Sequence, residues 1–176
     1  YHTILPFFVQ LLFFKQGLMN YKIVEKESFT VLAVSAKFNY ENCKQEIPKF
    51  WQEHFEKGNG RYVCGMFGIN IDEKMGQDSF EYLIADPYSP DKDIPEGFVT
   101  RTIPAFTWAV FSCDGPMPES LQDVNTKIFS EWLPALKEYE FVAGYCVEMY
   151  DAPDKYPKGT KDEKYHSEIW IPIGKK

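Results

Sequence analysis

Two stretches of this chain can be laid one on the other: YVCGMFGI at Tyr62–Ile69 matches FVAGYCVE at Phe141–Glu148, which superposes Gly65 on Gly144. The segments around them follow one order twice, as in a duplicated unit. In the first half, Tyr21–Lys26 and Phe29–Phe38 are rich in Val, Phe and Tyr and read as strands. Cys43, Ile47, Phe50, Trp51 and Phe55 then fall on one face of a helix that stops at Gly58-Asn59-Gly60. Pro48 places the regular helix only a residue or two upstream of itself, because proline is tolerated in a first turn. Arg61–Ile71 and Ser79–Ala85, joined by a polar segment, form a hairpin. After a loop with Pro87, Pro90 and Pro95 the order restarts: strands at Phe98–Ile103 and Phe106–Cys113, then a helix carrying Leu121, Val124, Ile128 and Trp132, ended by Pro134. A second hairpin, Phe141–Tyr150 and Tyr165–Ile173, has a charged connection at Asp151–Lys164 that is expected to be mobile. At 176 residues this makes one compact α+β domain. Two curved sheets, each backed by a helix, leave a groove at their seam, a natural ligand site.

Alternation along the strands assigns side chains to faces. In the terminal YHSEIWIPI, Ile169, Ile171 and Ile173 share one face, while His166, Glu168, Trp170 and Pro172 share the other. An acid beside an indole suits a cationic or hydrogen-bonding organic ligand; the alternative is an edge strand with Glu168 in solvent. An unpaired carboxylate facing a packed helix is costly, so Glu148 is expected to point away from its helix. By the repeat, the groove wall becomes Phe67, Phe80, Tyr82, Glu148, Glu168 and Trp170. Trp51 and Trp132 lie in helical stripes and are expected to be core anchors. His2, His54 and His166 are scattered, and Asp86, Asp91, Asp93 and Glu96 read as a solvated loop.

The 15 Phe, 11 Tyr and 4 Trp exceed what a core of this size needs, so some rings are expected to line a cavity. A net charge of -7 argues against direct nucleic-acid binding, which depends on clustered Lys and Arg. Cys43, Cys64, Cys113 and Cys146 lack CxxC spacing and read as buried free thiols in a reducing cytoplasm. Neither a metal nor a cofactor is expected. The apolar run from Ile4 to Phe14 is too short to span a membrane and holds Pro6 and Gln10. The chain opens on Tyr1 and not on a methionine, which leaves two readings of Met19: it starts a stand-alone domain, or the run before it joins this domain to something upstream.

The stretch NYKIVEKESFTVLAV, the WLP at Trp132–Pro134 and the terminal EIWIPI at Glu168–Ile173 together resemble the GyrI-like effector-binding domain, over about Asn20–Ile173. The resemblance implies a pseudo-twofold pair of βαββ units forming an antiparallel split barrel around a central pocket, with one long helix per unit. It implies residues 1–19 as a linker or the tail of an upstream DNA-binding region, and 20–176 as the domain, with repeats at about 20–86 and 97–174. It also implies a cytoplasmic small-molecule sensor, typically of AraC-type or MerR-type transcription regulators, reaching DNA only through the upstream region. In multidrug-sensing members the acid of the terminal motif attracts lipophilic cations; here that residue is Glu168, with Tyr82, Trp108, Tyr145, Glu148 and Trp170 as further wall candidates. A homodimer is one possible assembly. Two other readings stay open: a stand-alone hydrolase of electrophilic ring compounds, with a pocket glutamate and tyrosine as base and acid, and a protein-binding module of the gyrase-inhibitor kind. The chain carries no GxSxG motif, and a non-enzymatic role is expected.

Overall fold

In the computed structural model, which describes residues 19–142 and 144–176, two β-rich halves follow each other. Of the linker expected at residues 1–19, residues 1–18 lie outside the described residues. The first half holds β1 (Tyr21–Lys26), β2 (Phe29–Asn39), α1 (Cys43–Glu56), β3 (Phe67–Ile71) and β4 (Ser79–Pro87). The second holds β5 (Val99–Ile103), β6 (Phe106–Ser112), α2 (Glu119–Lys127), β7 (Tyr139–Phe141), β8 (Tyr145–Tyr150) and β9 (Ser167–Lys175). All pair antiparallel in the order β1-β6-β9-β8-β3-β4-β2-β5, with short β7 also on β9. Exchanging each strand for its counterpart (β1 with β5, β2 with β6, β3 with β8, β4 with β9) returns the same order. The duplication is therefore a pseudo-twofold, and its axis crosses the β3–β8 seam, where Ile69 faces Val147. Each half lends its first strand to the other: β1 pairs with β6 and β5 with β2.

The two faces of the sheet have different fates. One carries Val31, Ala33, Phe67, Ile69, Leu83, Trp108, Val147 and Trp170, all in one buried cluster. Phe29 of β2 packs 6.2 Å from Trp170 of β9, although four places separate their strands in the sheet, so this face curls inward on itself. The other face bears both helices. α1 covers Leu32, Val34, Phe80, Tyr82 and Ile84 of its own half. α2 and its continuation cover Ala109, Phe111, Ile169, Ile171 and Ile173. Alternation along each strand thus feeds two cores, one inside the curl and one under the helices.

Three local departures from the expected elements have physical reasons. Pro48 sits at the sixth residue of α1, not in its first turn; it and Lys44, whose carbonyl it cannot bond, are both exposed, so losing that bond on the solvent side of the helix is tolerated. The second helix widens into a π-helical turn at Ile128–Trp132 before a last short turn at Leu133–Ala135, which keeps both Ile128 and Trp132 buried on the sheet. The first hairpin strand begins at Phe67, not Arg61, because the backbone amides just before it are taken by a side chain described below. Among the described residues no helix is long and apolar enough to cross a membrane.

Candidate ligand-binding cleft

Between α1 and α2 the sheet face is bare, and its floor is the β3–β8 seam. Gly68 and Asn70 of β3 face Glu148 and Cys146 of β8 across that seam. Solvent reaches Cys146, Glu148 and Tyr150, yet they lie deep between the helices. At the Tyr150 end the cleft opens into a cavity of about 890 Å³. Trp51 and Phe55 of α1 form one wall, Gly65 and Met66 another, and Met117 and Tyr165 close the side towards α2. Asp86, Asp151 and Asp154 are its charged lining residues, and no lysine, arginine or histidine lines it.

Each wall is positioned by identifiable bonds. Gly65 has a φ of 86°, and a Cβ there would lie 2.5 Å from the Trp51 ring, so the indole rests on backbone that only glycine leaves free. Trp51 meets Tyr150 edge-on at 5.7 Å and stacks on Phe55 at 6.2 Å. The Asp86 carboxylate accepts three successive amides, Cys64 N at 2.7 Å, Gly65 N at 3.0 Å and Met66 N at 2.8 Å. Those amides cannot also join a strand ladder, which is why β3 starts late. His54, buried on α1, fixes the same segment through Nε2 to the Val63 carbonyl at 2.8 Å. The connection expected to be mobile is folded into two 3-10 turns, Pro153–Lys155 and Gly159–Lys161. Asp151 collects Lys155 Nζ at 2.8 Å and the Tyr156 hydroxyl at 2.7 Å, and Met117 N bonds Thr160 O at 2.8 Å. This loop is the cavity's outer wall.

Behind the cavity runs a chain of polar side chains. Trp51 Nε1 donates to the Tyr82 hydroxyl at 3.0 Å, Tyr150 donates to Glu148 Oε2, and both phenol hydroxyls lie against Gly68. A Cβ on Gly68 would run into the Tyr82 hydroxyl, so the close approach of these phenols to the seam needs glycine there. Burial pushes the Glu148 carboxyl above the usual range, with the Tyr150 hydrogen bond pulling the other way. Burial, reinforced by the Glu148 charge, raises the phenols of Tyr82 and Tyr150 and the thiol of Cys146, while the Cys113 thiol is pushed up to about 12. Among the described residues no group of His, Cys, Asp and Glu is arranged to hold a metal ion.

The expected wall is divided between the two faces. Phe67, Trp108, Tyr145 and Trp170 come together inside the curl, where they are packed core and not an open wall. Glu168, expected as the pocket acid, lies on that inner face too, and its contacts come from its own chain. Trp170 Nε1 donates to it at 2.7 Å, His166 Nε2 stands 3.1 Å away, and Lys26 Nζ lies 4.4 Å over the Trp170 ring. The aromatic site expected for a ligand cation is thus filled by Lys26. Phe80 and Tyr82 face α1, opposite to the expected side. Glu148 also faces the helices, contrary to expectation: the argument that a carboxylate cannot point there assumed packed helices, and the cleft separates them. Trp51, expected as a core anchor, is half-buried and walls the cavity; Cys64, expected to be buried, is exposed at the rim. Asp86 is bound to backbone and not free in a loop. The Trp51–Phe55 pair, four residues apart at the flank of the stripe, was the available sign that α1 presents rings to a ligand.

No curated protein matches the chain. Among solved structures it is similar to SAV2435 bound to tetraphenylphosphonium, with 22% identity, a TM-score of 0.76, and coverage of 89% of this chain and 94% of that one. It is similar to a candidate bacterial transcription-regulation protein from Staphylococcus aureus MU50, at 23% identity and TM-score 0.67 over 88% and 98%. A third is an integron cassette protein from Vibrio cholerae, at 14% and 0.64 over 88% and 95%. The model of the integron-associated effector binding proteins (Cass2) matches residues 22–173, and the chain belongs to that family of GyrI-like effector-binding domains.

Proposed function

We propose that this domain binds a lipophilic organic cation in the cavity between α1 and the start of α2, with Glu148 as its buried counter-charge, and so acts as the ligand sensor of a transcription regulator. The observation that carries this is the lining: about 890 Å³ walled by aromatic and thioether side chains, with charges of one sign only, and an underused carboxylate on the floor just beyond. Aromatic faces attract cations by about 0.5–2 kcal/mol each, and a hydrogen bond or contact to a buried charge contributes about 1.5–3 kcal/mol. The rings therefore give affinity and Glu148 gives the choice of charge. SAV2435, with the same fold, is bound to tetraphenylphosphonium, a cation of this kind. The regulator role is supported by the similarity to the Staphylococcus aureus MU50 protein and by the effector-binding family.

The test is to titrate tetraphenylphosphonium and a neutral analogue of equal size into the wild type and Glu148→Gln. The expected result is micromolar-range or tighter binding of the cation, weakened about 10- to 100-fold by the substitution, with the neutral analogue unchanged. Binding should also raise the melting temperature, since a hundredfold excess over Kd adds about 2.7 kcal/mol. Equal loss for both compounds would remove Glu148 from the role of counter-charge.

A further inference from the structure

Most of the polar side chains that line the cavity are already bonded to the protein itself. Trp51 Nε1 donates to the Tyr82 hydroxyl, the Tyr150 hydroxyl to Glu148, and the Tyr165 hydroxyl to the Asp151 carbonyl at 2.7 Å. Both oxygens of Asp86 are taken by its three amides. Asp151 accepts Lys155 Nζ and the Ala152 amide on Oδ1 and the Tyr156 hydroxyl on Oδ2. The Cys64 thiol turns to the Gly60 carbonyl at 3.7 Å. Two lining side chains are left, the Asp154 carboxylate and the Thr160 hydroxyl; among the described residues neither makes a side-chain hydrogen bond or an ion pair. Lys155, next to Asp154 in the chain, is held on Asp151 and does not neutralise it. Both free groups stand on the outer loop, Asp154 in the turn Pro153–Lys155 and Thr160 in the turn Gly159–Lys161. The loop is pinned beside them: Met117 N bonds Thr160 O, and Lys161 Nζ donates to Met117 O at 2.5 Å. The facing wall of Trp51, Phe55 and Met66 offers rings and a thioether. The cavity therefore has an apolar side on α1 and an unsatisfied polar side on the loop.

We propose that the ligand is an aromatic cation whose charge is carried on N–H groups, a protonated amine or an amidinium, with its rings against Trp51 and Phe55 and its N–H donors on Asp154 and Thr160. This rests on the cation-binding reading above and names the chemical class of the cation. A carboxylate only accepts hydrogen bonds and a hydroxyl accepts as well as donates, so N–H donors satisfy both free groups at once. Hydrogen bonds between ionised partners are shorter and stronger than neutral ones. A quaternary cation, whose charge is wrapped in carbon, gains the aromatic faces but leaves Asp154 and Thr160 to water. A neutral ring system gains the apolar side alone. An anion meets three carboxylates and no cationic side chain among the lining residues. A cavity of about 890 Å³ lies near the upper end of the range for drug-sized ligands, about 300–1,000 Å³, which leaves room for a ring system and a polar end together. Asp154 and Thr160 are thus the residues that choose between kinds of cation, while the α1 wall accepts any of them.

Three ligands with one ring system test this by fluorescence titration of the whole chain at mildly alkaline pH: 9-aminoacridine, a cation with N–H groups; 10-methylacridinium, a cation without them; and acridine, which is neutral. The wild type should prefer 9-aminoacridine to 10-methylacridinium by about five- to tenfold, the worth of one exposed charge-assisted hydrogen bond. In the double variant Asp154→Asn with Thr160→Val that preference should fall to within about twofold, with each single substitution in between. Acridine should bind all four proteins alike, which shows that the loop and the apolar wall are intact in the variants. Raising the salt should narrow the preference in the wild type and leave the double variant unmoved, since an exposed pair is screened. Equal affinity of the wild type for the two cations, or a preference that survives in the double variant, overturns the assignment of Asp154 and Thr160 while leaving cation binding intact. A preference abolished by Glu148→Gln but not by the loop substitutions moves the N–H contact to the floor and overturns it too. No binding of either cation to the wild type overturns the cation reading and this inference with it.

Discussion

A carboxylate that accepts three successive amide hydrogens, as Asp86 does from Cys64, Gly65 and Met66, holds a loop more firmly than any single contact within it. That loop carries Gly65, on which the Trp51 ring lies, so the side chain of Asp86 positions one wall of the cavity from behind. In Asp86→Asn one oxygen becomes an NH2 group, and the Oδ2 that served Cys64 N then sets donor against donor. Hydrogen bonds to a charged acceptor contribute about 1.5–3 kcal/mol, so a loss of about 2–3 kcal/mol in urea unfolding is expected. The cation affinity should fall as well, because Trp51 loses its seat. Stability unchanged to within about 0.5 kcal/mol, the usual effect of a surface substitution, would show the three bonds to be incidental.

At the level of strands, parity decides which acid meets a ligand. Glu148 is paired with Ile169 across β8–β9 and shares its helix-side face, while Glu168, one residue earlier on β9, falls on the inner face with Trp170. Glu168→Gln is therefore expected to leave tetraphenylphosphonium affinity within about twofold, well under the tenfold that about 1.4 kcal/mol would produce, where Glu148→Gln does not. A larger loss in Glu168→Gln than in Glu148→Gln, in parallel titrations, would return the site to the inner face. The duplication, the order of elements and the family resemblance were legible in the sequence because hydrophobic periodicity survives small shifts. Faces were not, since they invert with one residue of slip. Laying Gly65 on Gly144 placed Phe67 opposite Cys146. The equivalences that keep each residue in its core are instead Phe67 with Tyr145, Leu83 with Trp170 and Ala33 with Trp108. The slip comes from the Asp86 clamp, which removes residues 64–66 from the strand by an interaction 20 to 22 positions away, and no local pattern announces such a bond.

For the whole molecule, a cleft kept ready for a cation should carry a cost in stability that varies with pH in a definite sense. The folded chain holds the Glu148 proton more tightly than the unfolded chain does, because burial raises the carboxyl. Between the unfolded value, about 4.3 for a glutamate, and the higher folded one, the native state binds more protons than the denatured state, so stability falls as pH rises through that window and stays lower beyond it. Glu148→Gln, which keeps an oxygen to accept from Tyr150, removes this loss. Its melting temperature should match the wild type near pH 4 and exceed it near pH 8, and saturating cation should close the gap by restoring the wild type. His166 provides the opposite control: burial alone would lower it, but Asp114 at 2.6 Å and Glu168 at 3.1 Å outweigh that and raise it. Its contribution is fully present below the unfolded value of about 6.5 and is lost as pH rises through the folded one. His166→Gln should thus lower the melting temperature near pH 5 and leave it little changed near pH 8. One substitution gains at high pH and the other loses at low pH; a Glu148→Gln gain of the same size at both ends would mean that the side chain's shape, and not its charge, strains the empty cleft.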